Sequence, residues 1–197
     1  MTYLVRPVRA EEWREVRDLR LDALRDPAAR LAFLDTYEAA VTRSDAYWRE
    51  RTEGAAEGSA TGRQVVAVAP DGRWIGSATA LLERRGQEVL FGEVPEVDQT
   101  HLVGVYLRPE ARGAGAAEEL LRAAVDWSWS LREPVVRRVR LYVHERNARA
   151  AALYRKAAFA PSGRSLLVEG DPGGVEHEYE MWRPGVRVGA EEGSPGR

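Results

Sequence analysis

The sequence predicts a mixed α+β domain, built as one twisted sheet of about six or seven strands with helices on both faces. Three observations lead to this class. Short β-branched segments alternate with amphipathic helical segments in the middle of the chain, which is typical of parallel pairing. Segments joined by tight turns such as Pro70-Asp71-Gly72 lie nearer the ends, which is typical of antiparallel pairing. The chain of 197 residues, 44% of them hydrophobic, is long enough to bury one core.

The first half of the chain begins with a β-branched segment and an amphipathic helix. Trp13, Val16 and Leu19 recur at helical spacing, and Pro27 ends that helix. Ser44 is placed to cap a later helix. The predicted elements of this half are a strand over residues 2–8, a helix over 10–25, helical pieces and loop over 28–40, a helix over 44–51, and strands over 64–69, 74–82 and 88–94.

The second half alternates strands with helices and closes on a final strand. Its predicted elements are a strand over residues 100–107, a loop and long helix over 113–131, a strand over 135–143, a helix over 148–157, strand candidates at 159 and 165–168, and a strand over 175–182. In the last strand Glu176, Glu178 and Glu180 alternate with apolar side chains, which predicts one exposed acidic face. We expect a single domain over residues 1–183 and a disordered tail, rich in Gly, Pro and Glu, over 184–197.

The composition excludes several kinds of chemistry. The chain has no cysteine, which rules out disulfides, thiolate metal sites and a cysteine nucleophile. A net charge of −2 does not favour a broad face for nucleic acid, so we expect no nucleic-acid partner. No segment has the length of a membrane span or of a signal-peptide core, so we expect no membrane attachment and a cytoplasmic location. His144 and His177 lack metal-ligand spacing, and we expect no metal.

The most informative local feature is the run Arg-Gly-Ala-Gly-Ala-Ala over residues 112–117, between a strand and a helix. Small residues allow the backbone to approach a ligand, and the first amides of a helix have no internal partners. Together with the helix dipole they form a site for an anion such as a pyrophosphate. A tight turn that only packs helix on strand is the alternative. A Walker loop is excluded because no Gly-Lys-Ser/Thr ending follows.

At these residues the sequence resembles the GCN5-related N-acetyltransferase (GNAT) superfamily, and a bacterial member in particular. The acyl-CoA signature of that family, Gln/Arg-x-x-Gly-x-Gly/Ala, is matched by Arg112, Gly115 and Ala117. A second block resembles the family pattern N-x-x-A-x-x-L-Y-x-x-x-G-F. It is matched by Asn147, Ala150, Leu153, Tyr154 and Phe159, with Ala158 where glycine is common. The resemblance covers roughly residues 3–183 and implies a sheet splayed at its fourth and fifth strands.

The resemblance implies that acetyl-CoA is the co-substrate and that it binds in the splay. The pantetheine chain is then expected along Val105, Tyr106 and Leu107, with Arg112 beside the pyrophosphate. Asn147 is expected either near the cofactor or as a helix cap. The residues expected to hold the pyrophosphate through their amides are Gly113, Ala114, Gly115, Ala116 and Ala117.

The resemblance also implies direct attack of an amine on the thioester, which fits a chain without cysteine. Tyr154 matches the tyrosine that serves the leaving thiolate, and a half-buried core tyrosine is the alternative. His101 is the candidate general base, on one predicted face with Val103, Val105 and Leu107; an upstream carboxylate or a water relay stays open.

The sequence therefore predicts an N-acetyltransferase acting on a primary amine of a small molecule or a protein. The segments expected to shape the acceptor pocket are residues 26–37 and 168–175. Two alternatives are a non-catalytic acyl-CoA-binding or regulatory module and an enzyme acting on charged tRNA. A homodimer is left open.

Overall fold

A computed structural model describes residues 2–89, 91–168 and 174–185. One seven-stranded sheet runs through these residues in the order β1-β2-β3-β4-β5-β7-β6. Its strands are β1 (Leu4–Pro7), β2 (Gly62–Val68), β3 (Trp74–Glu83), β4 (Gln99–Leu107), β5 (Arg138–His144), β6 (Ala160–Leu167) and β7 (Val175–Trp182). The helices are α1 (Trp13–Arg25), α2 (Tyr37–Val41), α3 (Asp45–Glu53), α4 (Ala116–Ser130) and α5 (Ala148–Lys156), with single 3-10 turns at Ala10–Glu12, Ala29–Leu31 and Pro109–Ala111. The predicted mixed α+β class is confirmed.

Helices cover both faces of the sheet. Leu120, Leu121 and Ala124 of α4 pack with Leu102 and Leu141 in the larger core cluster. The opposite face is covered by α1, whose apolar stripe packs on β2, β3 and β4. Ser44 caps α3 by accepting a hydrogen bond from the Tyr47 amide, as predicted. β4 is the fourth of the seven strands, so it lies in the middle of the sheet between these two helical layers.

The sheet splits between β4 and β5. These two strands are parallel and pair at only three positions, Gln99 with Arg138, Thr100 with Val139 and His101 with Arg140. Beyond His101, β4 continues to pair with β3, and β5 continues to pair with β7. The edge of β4 from Leu102 onward therefore faces a gap, and the predicted splay at the fourth and fifth strands is confirmed.

A β-bulge in β4 lies at the edge of this split. Ser77 of β3 pairs with Tyr106 and Thr79 pairs with Val103, so two residues of β4 stand opposite one of β3. One of the two is Gly104, whose φ of 64° is a left-handed conformation that favours glycine. The bulge shifts the alternation of side chains by one position along the rest of the strand.

Because of this shift, one expectation about His101 is wrong. Val105 and Leu107 pack against the cluster under α4, whereas Tyr106 packs with α1 on the other face. His101 pairs with Leu81 and, with Val103, precedes the bulge on the α1 side of the sheet. A regular strand would have put His101, Val105 and Leu107 together, and the extra residue prevents it.

Buried charges join the four strands that meet at the base of the split. The Glu83 carboxylate accepts hydrogen bonds from Gln99 at 2.7 Å and from Nε of Arg140 at 2.8 Å. Arg140 also contacts Glu178 of β7 at 3.3 Å, and Nε of Arg138 donates to Gln99 at 2.8 Å. These contacts connect β3, β4, β5 and β7 across the three parallel pairs.

Two predictions about the strands are corrected. The acidic face of β7 is not exposed, because Glu178 is fully buried among Arg138, Arg140 and Tyr142. No strand forms over the described part of residues 88–94, which belong to the β3–β4 connection. Their backbone carbonyls instead serve the network: Arg140 donates to the carbonyls of Phe91 and Glu93. The predicted tail falls largely on residues 186–197, which lie outside the described part.

The buried network predicts a specific dependence of stability on pH. Burial alone would raise the pKa of Glu83, but hydrogen bonds from His101, Arg140 and Gln99 outweigh it and hold that pKa at about 2, against 4.5 for an ordinary glutamate. A carboxylate with a lowered pKa stabilises the fold above its unfolded pKa and ceases to do so as the pH falls towards its folded pKa. Glu83→Gln is expected to cost about 3 kcal/mol of unfolding free energy at pH 7.

Urea unfolding of Glu83→Gln and wild type should converge as the pH is lowered from about 4.5 towards 2. The matched control is Glu110→Gln, whose carboxylate pairs with Arg73 at the surface and should contribute less than about 1 kcal/mol. A stability difference for Glu83→Gln that is independent of pH would contradict the assigned role.

The turn after α5 predicts a stabilising substitution. Ala158 has a φ of 67° and is the one non-glycine residue with positive φ in the described part of the chain. A left-handed conformation costs a non-glycine residue about 1–2 kcal/mol in the folded state. Glycine avoids this cost, but it also increases the conformational entropy of the unfolded chain, which offsets part of the gain in stability. Ala158→Gly should therefore raise the unfolding free energy by about 0.5–1 kcal/mol in urea titrations. Ala157→Gly, at a φ of −83°, is the control and should lower it.

Candidate active site

The uncovered edge of β4 forms one wall of the split. Val105, Tyr106 and Leu107 follow the bulge on this edge, and Val105 and Leu107 are partly exposed. The carbonyl of Leu107 accepts a hydrogen bond from Nε of Arg112 at 3.0 Å, which ties the end of the strand to the turn that follows. Backbone groups on an open strand edge are available to pair with an extended ligand.

The glycine-rich turn begins directly beyond this edge. Gly115 is the N-cap of α4, with a φ of 85°, and the helix starts at Ala116. Within the described part of the chain, the backbone N–H groups of residues 113–117 donate no hydrogen bond to any carbonyl or side chain. Five successive amides without a partner among the described residues, at the positive end of a helix of 15 residues, are donors that an anion can accept from. The structure therefore brings together the open strand edge and the predicted pyrophosphate turn.

The charge of Arg112 is not free at this turn. Its guanidinium pairs with Asp26, whose side chain is buried, and Nε is used by the Leu107 carbonyl. Glu118 and Glu119 occupy the first turn of α4, and Lys156 pairs with Glu118. The site therefore offers an anion mainly N–H dipoles, and Arg112 serves the architecture of the turn.

The opposite wall carries the residues of the second motif. Tyr154 of α5 is buried, with its ring against Phe159 and Tyr179. Burial, and to a lesser degree the charge of Glu176, raises the pKa of Tyr154 above its ordinary value of 10. The phenol therefore keeps its proton at every working pH. Asn147 caps α5 by accepting from the Ala150 amide at 3.1 Å, so its cap role is realised.

The connection between α1 and α2 spans the two walls. Asp26 at its start pairs with Arg112 on the β4 side. The Leu31 carbonyl in its middle accepts from Nδ2 of Asn147 on the β5 side at 3.2 Å. This is the first of the two segments predicted to shape the acceptor pocket. The second, residues 168–175, falls largely on residues 169–173, which lie outside the described part.

The two histidines beside the split differ in the contact that Nδ1 makes. Nδ1 of His101 lies 3.2 Å from Glu83, whose carboxylate is ionised, so Nδ1 carries the proton and Nε2 keeps a lone pair. Nδ1 of His144 instead accepts from the Arg146 amide at 3.1 Å, so its proton is on Nε2. Of the two rings, His101 is the one arranged to accept a proton, although it is buried below Phe91.

One charged side chain near the split is not among the residues that the sequence motifs single out. Arg20 lies on the apolar stripe of α1, between Leu19 and Ala23, and reaches a crevice that borders the bulge at Gly104. In the sequence, Arg20 stands at a position where the helical spacing of the apolar residues predicts a buried side chain, and a charged residue there is the sign that could have identified it.

Across residues 2–89, 91–168 and 174–185, no helix combines the length and the apolar character needed to cross a bilayer. In the same residues, no group of three acidic or histidine side chains is arranged to hold a metal ion.

The split sheet and the turn of free amides agree with one family. The model of the acetyltransferase (GNAT) family matches residues 13–159. The chain belongs to the GNAT acetyltransferase family. Membership assigns it to the acetyl-CoA-dependent N-acetyltransferases, with acetyl-CoA as co-substrate, as the two sequence motifs predicted. No curated protein matches the chain by sequence.

Solved structures share the GNAT fold over nearly the whole chain. A GNAT-family acetyltransferase from Streptococcus pneumoniae has a TM-score of 0.73 at 15% identity, covering 92% of this chain and 100% of its own. Arabidopsis thaliana NAA60 with a bisubstrate analogue has a TM-score of 0.67 at 21% identity, covering 94% and 100%. The phosphinothricin acetyltransferase of Sinorhizobium meliloti, in complex with acetyl-CoA, has a TM-score of 0.66 at 19% identity, covering 92% and 89%.

Proposed function

We propose that this GNAT protein transfers acetyl from acetyl-CoA directly to a primary amine of a small molecule or a protein. The observation that carries the proposal is the continuity of the site. The open edge of β4 is followed, after one 3-10 turn at Pro109–Ala111, by five amides at the start of α4 that have no hydrogen-bond partner among the described residues. An extended acyl chain ending in a pyrophosphate has the shape and the charge that such a path accepts.

In this proposal the pantetheine chain pairs with β4 at Val105, Tyr106 and Leu107 as an added strand. The pyrophosphate binds the amides of residues 113–117, and Arg112 contributes by holding the turn against Leu107. The thioester then lies beside the bulge at Gly104, where a backbone N–H near Tyr106 donates to the oxyanion.

The chemical step forms a C–N bond and breaks a C–S bond. The neutral amine attacks the thioester carbonyl, loses one proton, and expels the thiolate. His101 takes up the amine proton at Nε2 through water, because its Nδ1 is committed to Glu83. Tyr154 donates its O–H to the departing sulfur, and its raised pKa ensures that this O–H is present. The proton lost by nitrogen balances the one gained by sulfur, and transfer of the proton held by His101 through solvent to the Tyr154 oxygen restores both residues.

The cellular setting extends the same proposal. Since Arg138 and Arg140 are buried with carboxylate partners, they form no cationic surface for nucleic acid. We also propose a bacterial cytoplasmic location and a soluble amine as acceptor, and a homodimer stays open.

Release of CoA thiol should require an amine. Wild-type protein is incubated with acetyl-CoA and a panel of amino acids, amino amides, polyamines and peptides, and free thiol is measured. Tyr154→Phe should lower kcat by about 10- to 100-fold, because the leaving thiolate loses its donor. The dissociation constant for acetyl-CoA, measured by calorimetry, should stay close to that of wild type.

The matched control is Tyr179→Phe, a neighbouring buried tyrosine whose hydroxyl accepts from Arg155. It should keep wild-type kcat. Binding of acetyl-CoA without any amine-dependent release of thiol would replace the proposal with the non-catalytic module.

The assignment of the base predicts a difference between two histidine variants. Imidazole changes charge between pH 5 and 8, so a histidine base gives kcat/KM an acidic limb. His101→Gln should flatten that limb and lower kcat/KM at pH 7 by about 100-fold. His144→Gln should retain the limb, because its Nδ1 is occupied by the Arg146 amide. An unchanged limb in His101→Gln would assign the proton to another acceptor.

A further inference from the structure

A crevice lies on the α1 side of the sheet, opposite the cluster under α4. It runs between α1 and strands β2, β3 and β4, and it reaches the bulge in β4. The proposed function places the thioester at this bulge, so the crevice borders the point that an acceptor amine has to reach. The side chains that give it chemical character are Arg20, Arg51, Phe33, Gln64, Ser77 and Thr79.

Arg20 enters this crevice and makes no hydrogen bond to any described residue. Its guanidinium carbon lies over the Phe33 ring, 4.3 Å from the ring centroid. Its ion pair among the described residues is with Asp35, at 3.7 Å, which is longer than a hydrogen bond. A planar fork of donors held in one orientation suits two oxygens of a carboxylate.

The carboxylate nearest to Arg20 is hydrogen-bonded to a different arginine. Asp35 accepts two hydrogen bonds from Arg43, at 2.8 Å and 3.0 Å. Arg51, the second cation of the crevice, has no ion pair with any described residue. Burial, and next the charge of Arg51, lowers the pKa of Arg20 to about 10. Both effects indicate a cation that its surroundings do not fully neutralise.

The floor of the crevice is polar as well. In the described residues, the side chains of Gln64, Ser77 and Thr79 make no hydrogen bond to another group, and their polar atoms are accessible from the crevice rather than fully buried. A ligand or water can therefore hydrogen-bond to them. Their positions on β2 and β3 lead from Arg20 towards Gly104.

We propose that the acceptor is an amine that also carries an anionic group, bound by Arg20 with Arg51 as the second cation. The carboxylate, or an oxyanion of similar shape, occupies the guanidinium edge, and the amine points to the thioester beside Gly104. This inference rests on the proposed function and names its class of substrate.

The same charges act on the protonation of the acceptor. An amine must lose its proton before it attacks a thioester. Two nearby cations disfavour the ammonium form, so they promote the neutral amine once the anionic group has brought the molecule in. For the same reason the crevice rejects a polyamine, whose several positive charges would face Arg20 and Arg51.

The test compares acceptors that differ only in the anionic group. L-methionine, L-methioninamide and 3-(methylthio)propylamine are used with acetyl-CoA, alongside L-glutamate and spermidine, and thiol release is measured for each. In wild type, kcat/KM for methionine should exceed that for its amide by about 100-fold. In Arg20→Gln this preference should fall to within a fewfold, while the dissociation constant for acetyl-CoA is unchanged.

Two variants complete the design. Arg14→Gln, on the exposed side of the same helix, should keep the full preference. Arg20→Lys keeps the charge but not the fork, and should recover part of the preference. Thiol release that is equal for methionine and its amide, or fastest with spermidine, would overturn the inference while the acetyltransferase function stands. No thiol release with any amine would remove the proposed function itself.

Discussion

Two buried arginines on β5 hold the sheet together where the pairing between β4 and β5 ends. The backbone joins these strands at only three positions, which is little for a parallel pair at the centre of a sheet. Arg138 and Arg140 extend the connection sideways, to Gln99 and Glu83 on one side and to Glu178 on the other. Buried charges of this kind are costly to desolvate but costlier to unpair. A slipped register would unpair them, so the network fixes where the split begins.

The rest of the site follows from the position of that split. Once β4 has lost its neighbour, its N–H and C=O groups need another partner, which an extended ligand can supply. The strand then ends in a turn whose left-handed Gly115 releases the first amides of α4. The bulge at Gly104 opens the same strand towards α1. In the proposed function, this strand therefore faces the cofactor along its edge and the acceptor along its α1 face.

The sequence predicted the parts of this arrangement that depend on local backbone conformation. The turn at residues 112–117 and the cap at Asn147 are properties of a few consecutive residues, and both formed as expected. The error about the face of His101 comes from the bulge at Gly104, and two further errors concern partners that are distant in the chain. Glu178 lies 38 positions from Arg140, and the alternation along β7 could not show which face meets it. Likewise, Asp26 lies 86 positions from Arg112, so the composition could not show that this arginine is neutralised.

Arginine is nearly the only basic residue of the chain, and its function depends on what surrounds each copy. Arg112 adjoins the site with the strongest anion signature, but it is paired with Asp26, so the turn binds through dipoles. Arg20 lies beside no sequence motif, and the nearest carboxylate, Asp35, accepts its hydrogen bonds from Arg43 and not from Arg20. In the proposed function CoA is itself an anion, so a turn without an unpaired cation and a separate cationic crevice keep two anionic ligands from competing for one site. The pyrophosphate would bind the amides of residues 113–117, and the anionic group of the acceptor would bind Arg20, because Arg112 is paired with Asp26. On this proposal the charge pattern separates the two substrates before the reaction joins them at Gly104.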